Sequence, residues 1–325
     1  MKTDHQNLQD FVMNYFFNVI QMQYKTKLYP RESLIILDEI QLFPPARQAL
    51  KTLLEDKRYD YIETGSLAGI TKRSKKSEIL IPSEEYCVEM YPLDFEEFLW
   101  ANDDFFTMDI IREHYEKVVP FGTRLNRDIL RKFREYMCVG GMPQAVVVYV
   151  KTKDFERVDF AKREILNLYR NDIKEQDEEN SEYVRNILDN IPSELARHDS
   201  ASKTNEFHFS HLNKNARLRE YQGPLRWLDE AMIVNLARNT TEPSPALTLN
   251  LDDRRLKCYL MDTGLLINLS FGDGNYIDND LYNAILTDRL HVNEGMFVEN
   301  VIAQCLRING HKIVFYVEYD KNGNM

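Results

Sequence analysis

The chain has 325 residues, and a composition of 43% hydrophobic, 11% aromatic and 29% charged residues excludes a disordered or fibrous protein. Its 41 basic and 52 acidic side chains leave a net charge of −11, which argues against a general, charge-driven nucleic-acid binder but leaves room for a local basic face. No run reaches the ~18–20 apolar residues of a membrane helix, MKTDHQNLQDF has no signal-peptide apolar region, and the four separated cysteines suit a reducing compartment, so a cytoplasmic protein of two or three domains is expected.

Residues 7–22, NLQDFVMNYFFNVIQM, place Leu8, Phe11, Val12, Tyr15, Phe16, Val19 and Ile20 at helical spacing. The spacing predicts an amphipathic helix with a wide apolar face. LIIL, Leu34 to Leu37, has no polar alternation and predicts a strand covered on both faces, as in a parallel sheet. Pro44-Pro45 suit the start of a helix running through ARQALKTLL. YDYIET reads as a second strand closed by Gly65, and YCVEMYPL, Tyr86 to Leu93, as a third. DFEEFLWA begins a helix, with Asp94 as N-cap and Glu97 three residues on. Strand, helix, strand, loop, strand, helix is the order of an α/β protein.

Residues 105–200 read as helical almost throughout, broken at Gly140-Gly141-Met142-Pro143. VDFAKREILNLYRNDI is amphipathic, with Val158, Ala161, Ile165, Leu168, Tyr169 and Ile173 on one face, and KEQDEENSE is a solvated acidic segment. Residues 206–240 combine a short extended piece, two short helices and a strand-like end. KCYLMDTGLL is a strand followed by a turn at Asp262 and Gly264, and the last stretch pairs the helix EGMFVENVIAQCLRING, capped by Gly310, with the strand HKIVFYVEY.

An apolar strand that ends in Asp38-Glu39 is a Walker B pattern. Such a strand presents both carboxylates at its carboxyl end, where ligands of open α/β sheets bind. Asp38 would hold Mg2+ and Glu39 would orient or deprotonate the attacking water. Thr64, Gly65 and Ser66 end the next strand, where a hydroxyl could touch the γ-phosphate or that water. Acids after an apolar run also suit a helix N-terminus, and the motif alone does not separate the two readings.

LIILDEIQ, PPARQALKTLLED, YIETGSLAGI and YPLDFEEFLWA together resemble the prokaryotic AAA+-type ATPases that carry a C-terminal domain of poorly known function. GGMPQAVVVY, LYRNDI, FHFSHLNKNARLREYQGPLRWLDEAMIV, KCYLMDTGLL and GMFVENVIAQCLR extend the resemblance over nearly the whole chain. It implies a P-loop ATPase domain, a helical region with a winged-helix-like unit, and a C-terminal part similar to PD-(D/E)XK nucleases. It also implies ATP and Mg2+ as ligands, Thr64 and Ser66 at the sensor position, and Glu299 as the helical glutamate that opens the nuclease-like motif. The expected division is a truncated ATPase core over 1–104, a helical region over 105–200, a winged-helix-like unit over 201–250 and an incomplete nuclease-like α/β segment over 251–325.

The chain departs from that pattern at both ends. None of its 12 glycines is followed by lysine, so no G-x-x-x-x-G-K-[ST] phosphate loop occurs in these residues. The strand that carries the loop, and the later acids of the nuclease-like site, are expected to be missing. A truncated or degenerate ATPase homologue, with weak or no ATP hydrolysis by itself, is therefore expected. The alternative is a protein- or DNA-binding module that uses the winged-helix-like region, where Lys214, Arg217 and Arg219 are candidate DNA contacts. A third reading has the phosphate loop supplied in trans, and oligomerisation is compatible with the sequence. The basic cluster Lys72, Arg73, Lys75 and Lys76 reads as a solvated loop, and His198, His208 and His211 lack the spacing of a zinc site.

Overall fold

The computed structural model describes residues 2–65, 86–174, 178–197, 205–212, 218–244, 247–271, 279–287 and 295–317. The chain divides into two compact units, residues 1–89 and 90–325. The basic cluster at 72–76, His198, Ser66, Lys214 and Arg217 lie outside the described residues.

In the first unit, helix α1 (Lys2–Tyr24) and helix α2 (Pro44–Asp56) accompany two short strands, β1 (Leu34–Leu37) and β2 (Asp60–Glu63). The strands run parallel, with Leu34 opposite Asp60 and Leu37 opposite Glu63. Met13, Phe17, Leu50, Leu53 and Tyr59 form the core, and Ile35, Leu37 and Tyr61 pack against it.

Three expectations are corrected here. β1 is covered on one face only: Leu34 and Ile36 are exposed, because side chains alternate across a strand and the core holds Ile35 and Leu37. The stretch 86–94 is not a strand, and Tyr86, Val88 and Met90 stand exposed. The face expected to bury α1 is only partly right, with Ile20 alone of its described residues packing against the core. Met13 and Phe17 go inward, whereas Phe11, Val12, Tyr15, Phe16 and Val19 are exposed, so the helix is apolar on both sides.

The second unit opens with helix α3 (Phe95–Ala101), started by the expected capping box: Glu97 N–H donates to Asp94 Oδ1 at 2.8 Å and Asp94 N–H to Glu97 Oε2 at 3.0 Å. Helices α4 (Thr107–Glu116), α5 (Thr123–Val139), α6 (Pro143–Thr152), α7 (Phe155–Lys174) and α8 (Glu178–Ala196) follow. Next come α9 (Phe209–Leu212), α10 (Leu218–Glu230), β3 (Val234–Thr240) and β4 (Leu251–Leu260). Helices α11 (Thr263–Phe271), α12 (Asn279–Leu286) and α13 (Gly295–Ile308) precede β5 (Val314–Phe315). β3 is central in its sheet, antiparallel to β4 and parallel to β5.

One core extends from Phe98 through α5 to α8, the β3–β4 pair and α11, and on to Ala303. On α7 Val158, Ile165 and Ile173 are buried and Tyr169 packs against the core as expected, whereas Leu168 is exposed and Lys162 and Asp159 are buried beside the apolar residues. Asp262 and Gly264 do not form a simple turn. Asp262 Oδ1 accepts from Leu265 N–H at 2.9 Å, so this residue caps the start of α11. The expected Gly310 cap is present, with φ +77° and its N–H bonded to Arg307 O at 2.9 Å.

Candidate nucleotide half-site

The parallel β1–β2 pair brings Asp38 and Thr64 to the same end of the sheet. The ladder continues past the strands: Thr64 N–H donates to Leu37 O at 3.0 Å, and Ile40 N–H donates to Thr64 O at 3.0 Å. Between those two bonds the chain must turn sharply. Glu39 makes the turn with φ 53° and ψ 46°, a left-handed conformation that disfavours a residue with a Cβ by about 1–2 kcal/mol. Pro44 and Pro45, at the first positions of α2, then carry the chain away in a helix.

Thr64 joins the two acids. Its hydroxyl donates to Asp38 Oδ1, and its oxygen accepts the Glu39 N–H at 3.3 Å. Asp38 and Glu39 are both exposed and Thr64 is half-buried. Asp38, Glu39 and Thr64 thus lie together, while Ser66 lies outside the described residues. Exposed carboxylate oxygens are hard donors of the kind Mg2+ accepts, and one or two carboxylates plus substrate phosphates suffice for that ion. The donor set therefore fits a magnesium ion that keeps most of its ligands from water and substrate. The nucleotide itself has no Gly-Lys loop in these 325 residues to cradle its phosphates.

Glu299 has a different setting. It lies on α13, and its Oε2 accepts from Asn205 Nδ2 at 2.7 Å, Tyr259 OH at 3.1 Å and Lys257 Nζ at 3.4 Å. Burial first, and the neighbouring Glu299 carboxylate second, push the Tyr259 phenol well above its usual range. One carboxylate oxygen thus ties α13 to β4 and to the segment before α9. Among the described residues no three His, Cys, Asp or Glu side chains are placed to hold a metal. His211 Nδ1 lies 2.9 Å from the buried Glu194 carboxylate, which also accepts the His208 N–H at 3.0 Å. That carboxylate fastens α9 to α8.

A buried polar node in the second unit was not anticipated. Gly141 N–H donates to Asp262 Oδ2 at 2.6 Å, and Leu93 N–H donates to Gly141 O at 2.7 Å. Tyr136 OH donates to Leu93 O at 2.9 Å, and Gln304 Nε2 to Tyr136 OH at 3.0 Å. Lys162, fully buried, donates to Cys138 O at 2.8 Å and to Tyr282 OH at 2.7 Å. Burial pulls its pKa down to about 8, against the pull of Asp159. Burial likewise raises the Asp262 carboxyl, although Gly141 and Leu265 N–H groups oppose the shift. The segments YPLDF, GGMP and DTGLL meet here. The signal for Lys162 was its position between Val158 and Ile165 on an apolar face.

Residues 2–99 match the AAA domain. This segment is similar to an AAA-type domain. The match runs beyond the first unit and takes in YPLDFEEFL. Residues 130–275 match a second model, a domain of unknown function (DUF8612). That match covers the Gly140-Gly141 and Asp262 sides of the buried node. No curated protein and no solved structure matches the chain.

Proposed function

We propose that the AAA-type segment carries the acidic half of a Mg2+–nucleotide site. Asp38 is the metal-holding carboxylate, Glu39 the group that orients or deprotonates water, and Thr64 the sensor hydroxyl. The observation that carries this reading is the hydrogen bond from the Thr64 hydroxyl to Asp38 across the carboxyl ends of two parallel strands. Open α/β sheets bind ligands at that edge. A bound Mg2+ would supply charge neutralisation for the phosphates of the nucleotide.

The chain's own residues set the rest. Thr64 fixes the Asp38 carboxylate, as an outer partner fixes a metal ligand. The left-handed turn at Glu39 directs the chain out of the strand immediately after Asp38. With no phosphate loop in the 325 residues, grip on the nucleotide is weak and hydrolysis by these residues alone is slow or absent. Steady-state ATP turnover tests this. Turnover near that of intact ATPases, abolished by Glu39→Gln, would contradict the low activity assigned to these residues.

A second reading rests on α8 to β4. A helix, a short helix, a longer helix and an antiparallel strand pair succeed one another there, in the order of a winged-helix unit. Arg219 and Arg226 are exposed seven residues apart on α10. Two turns of helix separate them, so they share a face that could meet phosphates in a groove. Binding to a DNA duplex should then weaken with salt and with the double variant Arg219→Glu, Arg226→Glu. Affinity unchanged by both would remove this reading. The Glu299 cluster enters neither activity, since its carboxylate is engaged with Asn205, Tyr259 and Lys257.

A further inference from the structure

Helix α1 carries more apolar surface than its own unit covers. One side, through Met13 and Phe17, lines the core of the first unit. The opposite side exposes Phe11, Val12, Tyr15, Phe16, Val19 and Met22, with Tyr15 66% and Met22 80% exposed. A helix with apolar stripes on two sides has a second face to cover besides the one its own unit buries. Val12, Tyr15, Val19 and Met22 are spaced three, four and three residues apart, the a/d seam along which two helices pack knobs into holes.

We infer that this face of α1 is an interface between two copies of the chain, formed by the two α1 helices around a twofold axis. Charge favours a second copy over a charged partner. No charged residue occurs between Asp10 and Lys25, so the seam offers nothing for opposite charges to recognise. For the same reason two copies meet there without like-charge repulsion, although the whole chain carries −11. An isologous contact needs a surface complementary to itself, and an uncharged a/d stripe meets that condition. The area is also adequate. Phe11, Tyr15 and Phe16, at 150–250 Å2 for a whole side chain and 68%, 66% and 38% exposed, present roughly 350 Å2, and Val12, Val19 and Met22 bring the face to roughly 600 Å2. That approaches the ~800 Å2 per partner of a standard interface before flanking residues are counted.

The test is the mass of the full chain in solution, followed by sedimentation over the micromolar range. Wild type should sediment as two 38.5 kDa chains. The double variant Tyr15→Glu, Val19→Glu should sediment as one, with an unchanged far-ultraviolet circular dichroism spectrum, because both side chains lie off the core. Ile36→Glu, on the exposed face of β1, should leave the dimer intact. A monomeric wild type, a double variant that stays dimeric, or dissociation by Ile36→Glu would each overturn the proposal. If the charges at 15 and 19 unfold the helix, Tyr15→Ser with Val19→Ser takes their place, with the same expected loss of dimer.

Discussion

The Thr64 hydroxyl donates to the Asp38 carboxylate, linking two residues 26 positions apart at the carboxyl ends of neighbouring parallel strands. The same Thr64 oxygen accepts the Glu39 N–H, so one side chain holds both acidic residues in register. Removing the hydroxyl while keeping the shape isolates this link. Thr64→Val should lower affinity for a metal–nucleotide complex about tenfold, the low end of the effect of losing an outer hydrogen-bond partner of a metal ligand. It should change unfolding by no more than about 1 kcal/mol, because the site is solvent-accessible. Isothermal titration and urea unfolding of the same sample separate the two effects.

The close approach of YPLDF to GGMP in the second unit admits no added side chain. A Cβ at Gly141 would lie 2.0 Å from the Leu93 carbonyl oxygen, and one at Gly264 would lie 2.4 Å from Val139 O. Both neighbours are backbone, so neither can swing aside. Gly141→Ala should destabilise the second unit by more than about 3 kcal/mol in denaturant unfolding.

Lys162 sets a pH dependence. In the folded chain burial holds its pKa at about 8, and in the unfolded chain it returns to 10.5. Between those values the unfolded state binds the extra proton, so this residue's contribution to stability rises with pH across that window. Below about 8 its buried charge is a constant penalty of up to roughly 3 kcal/mol. Relative to Lys162→Met, wild type should therefore gain stability from pH 8 to 10.5, and parallel stability curves would contradict the assignment.

Asp104 gives the opposite sign. Burial pushes its carboxyl up, but the Lys132 ammonium and the Thr107 hydroxyl and N–H, bonded at 2.6, 2.6 and 3.1 Å, together bring it down to about 2. Its stabilisation of the α4 N-terminus is present above the ordinary carboxylate value of 3.8 and is lost as pH falls toward 2. Asp104→Ala should cost about 1–2 kcal/mol at neutral pH and much less near pH 2, measured by thermal unfolding.

Local features were the most legible in the sequence. The capping box at Asp94 and Glu97, the helix start at Pro44 and the Gly310 cap each depend on a few adjacent residues. The Asp38–Thr64 pairing was readable because two short apolar strands separated by a helix imply parallel neighbours. Periodicity found most of the buried face of α7, missing at Leu168, but misplaced most of the face of α1, where apolar residues occur on two sides and only tertiary packing selects the buried one. The Asp262–Gly141 and Lys162–Tyr282 bonds join residues more than 100 positions apart, and no local pattern encodes such a pairing.

In the proposed function the Asp38 carboxylate is the group that holds a metal–nucleotide complex. Titration of the chain with Mn2+ and ADP, followed by electron paramagnetic resonance of the manganese, reads that contact directly. Wild type should bind the Mn2+–ADP complex, and Asp38→Ala should weaken binding by at least about tenfold, with Glu299→Ala left at the wild-type value. Equal binding by wild type and Asp38→Ala would contradict it.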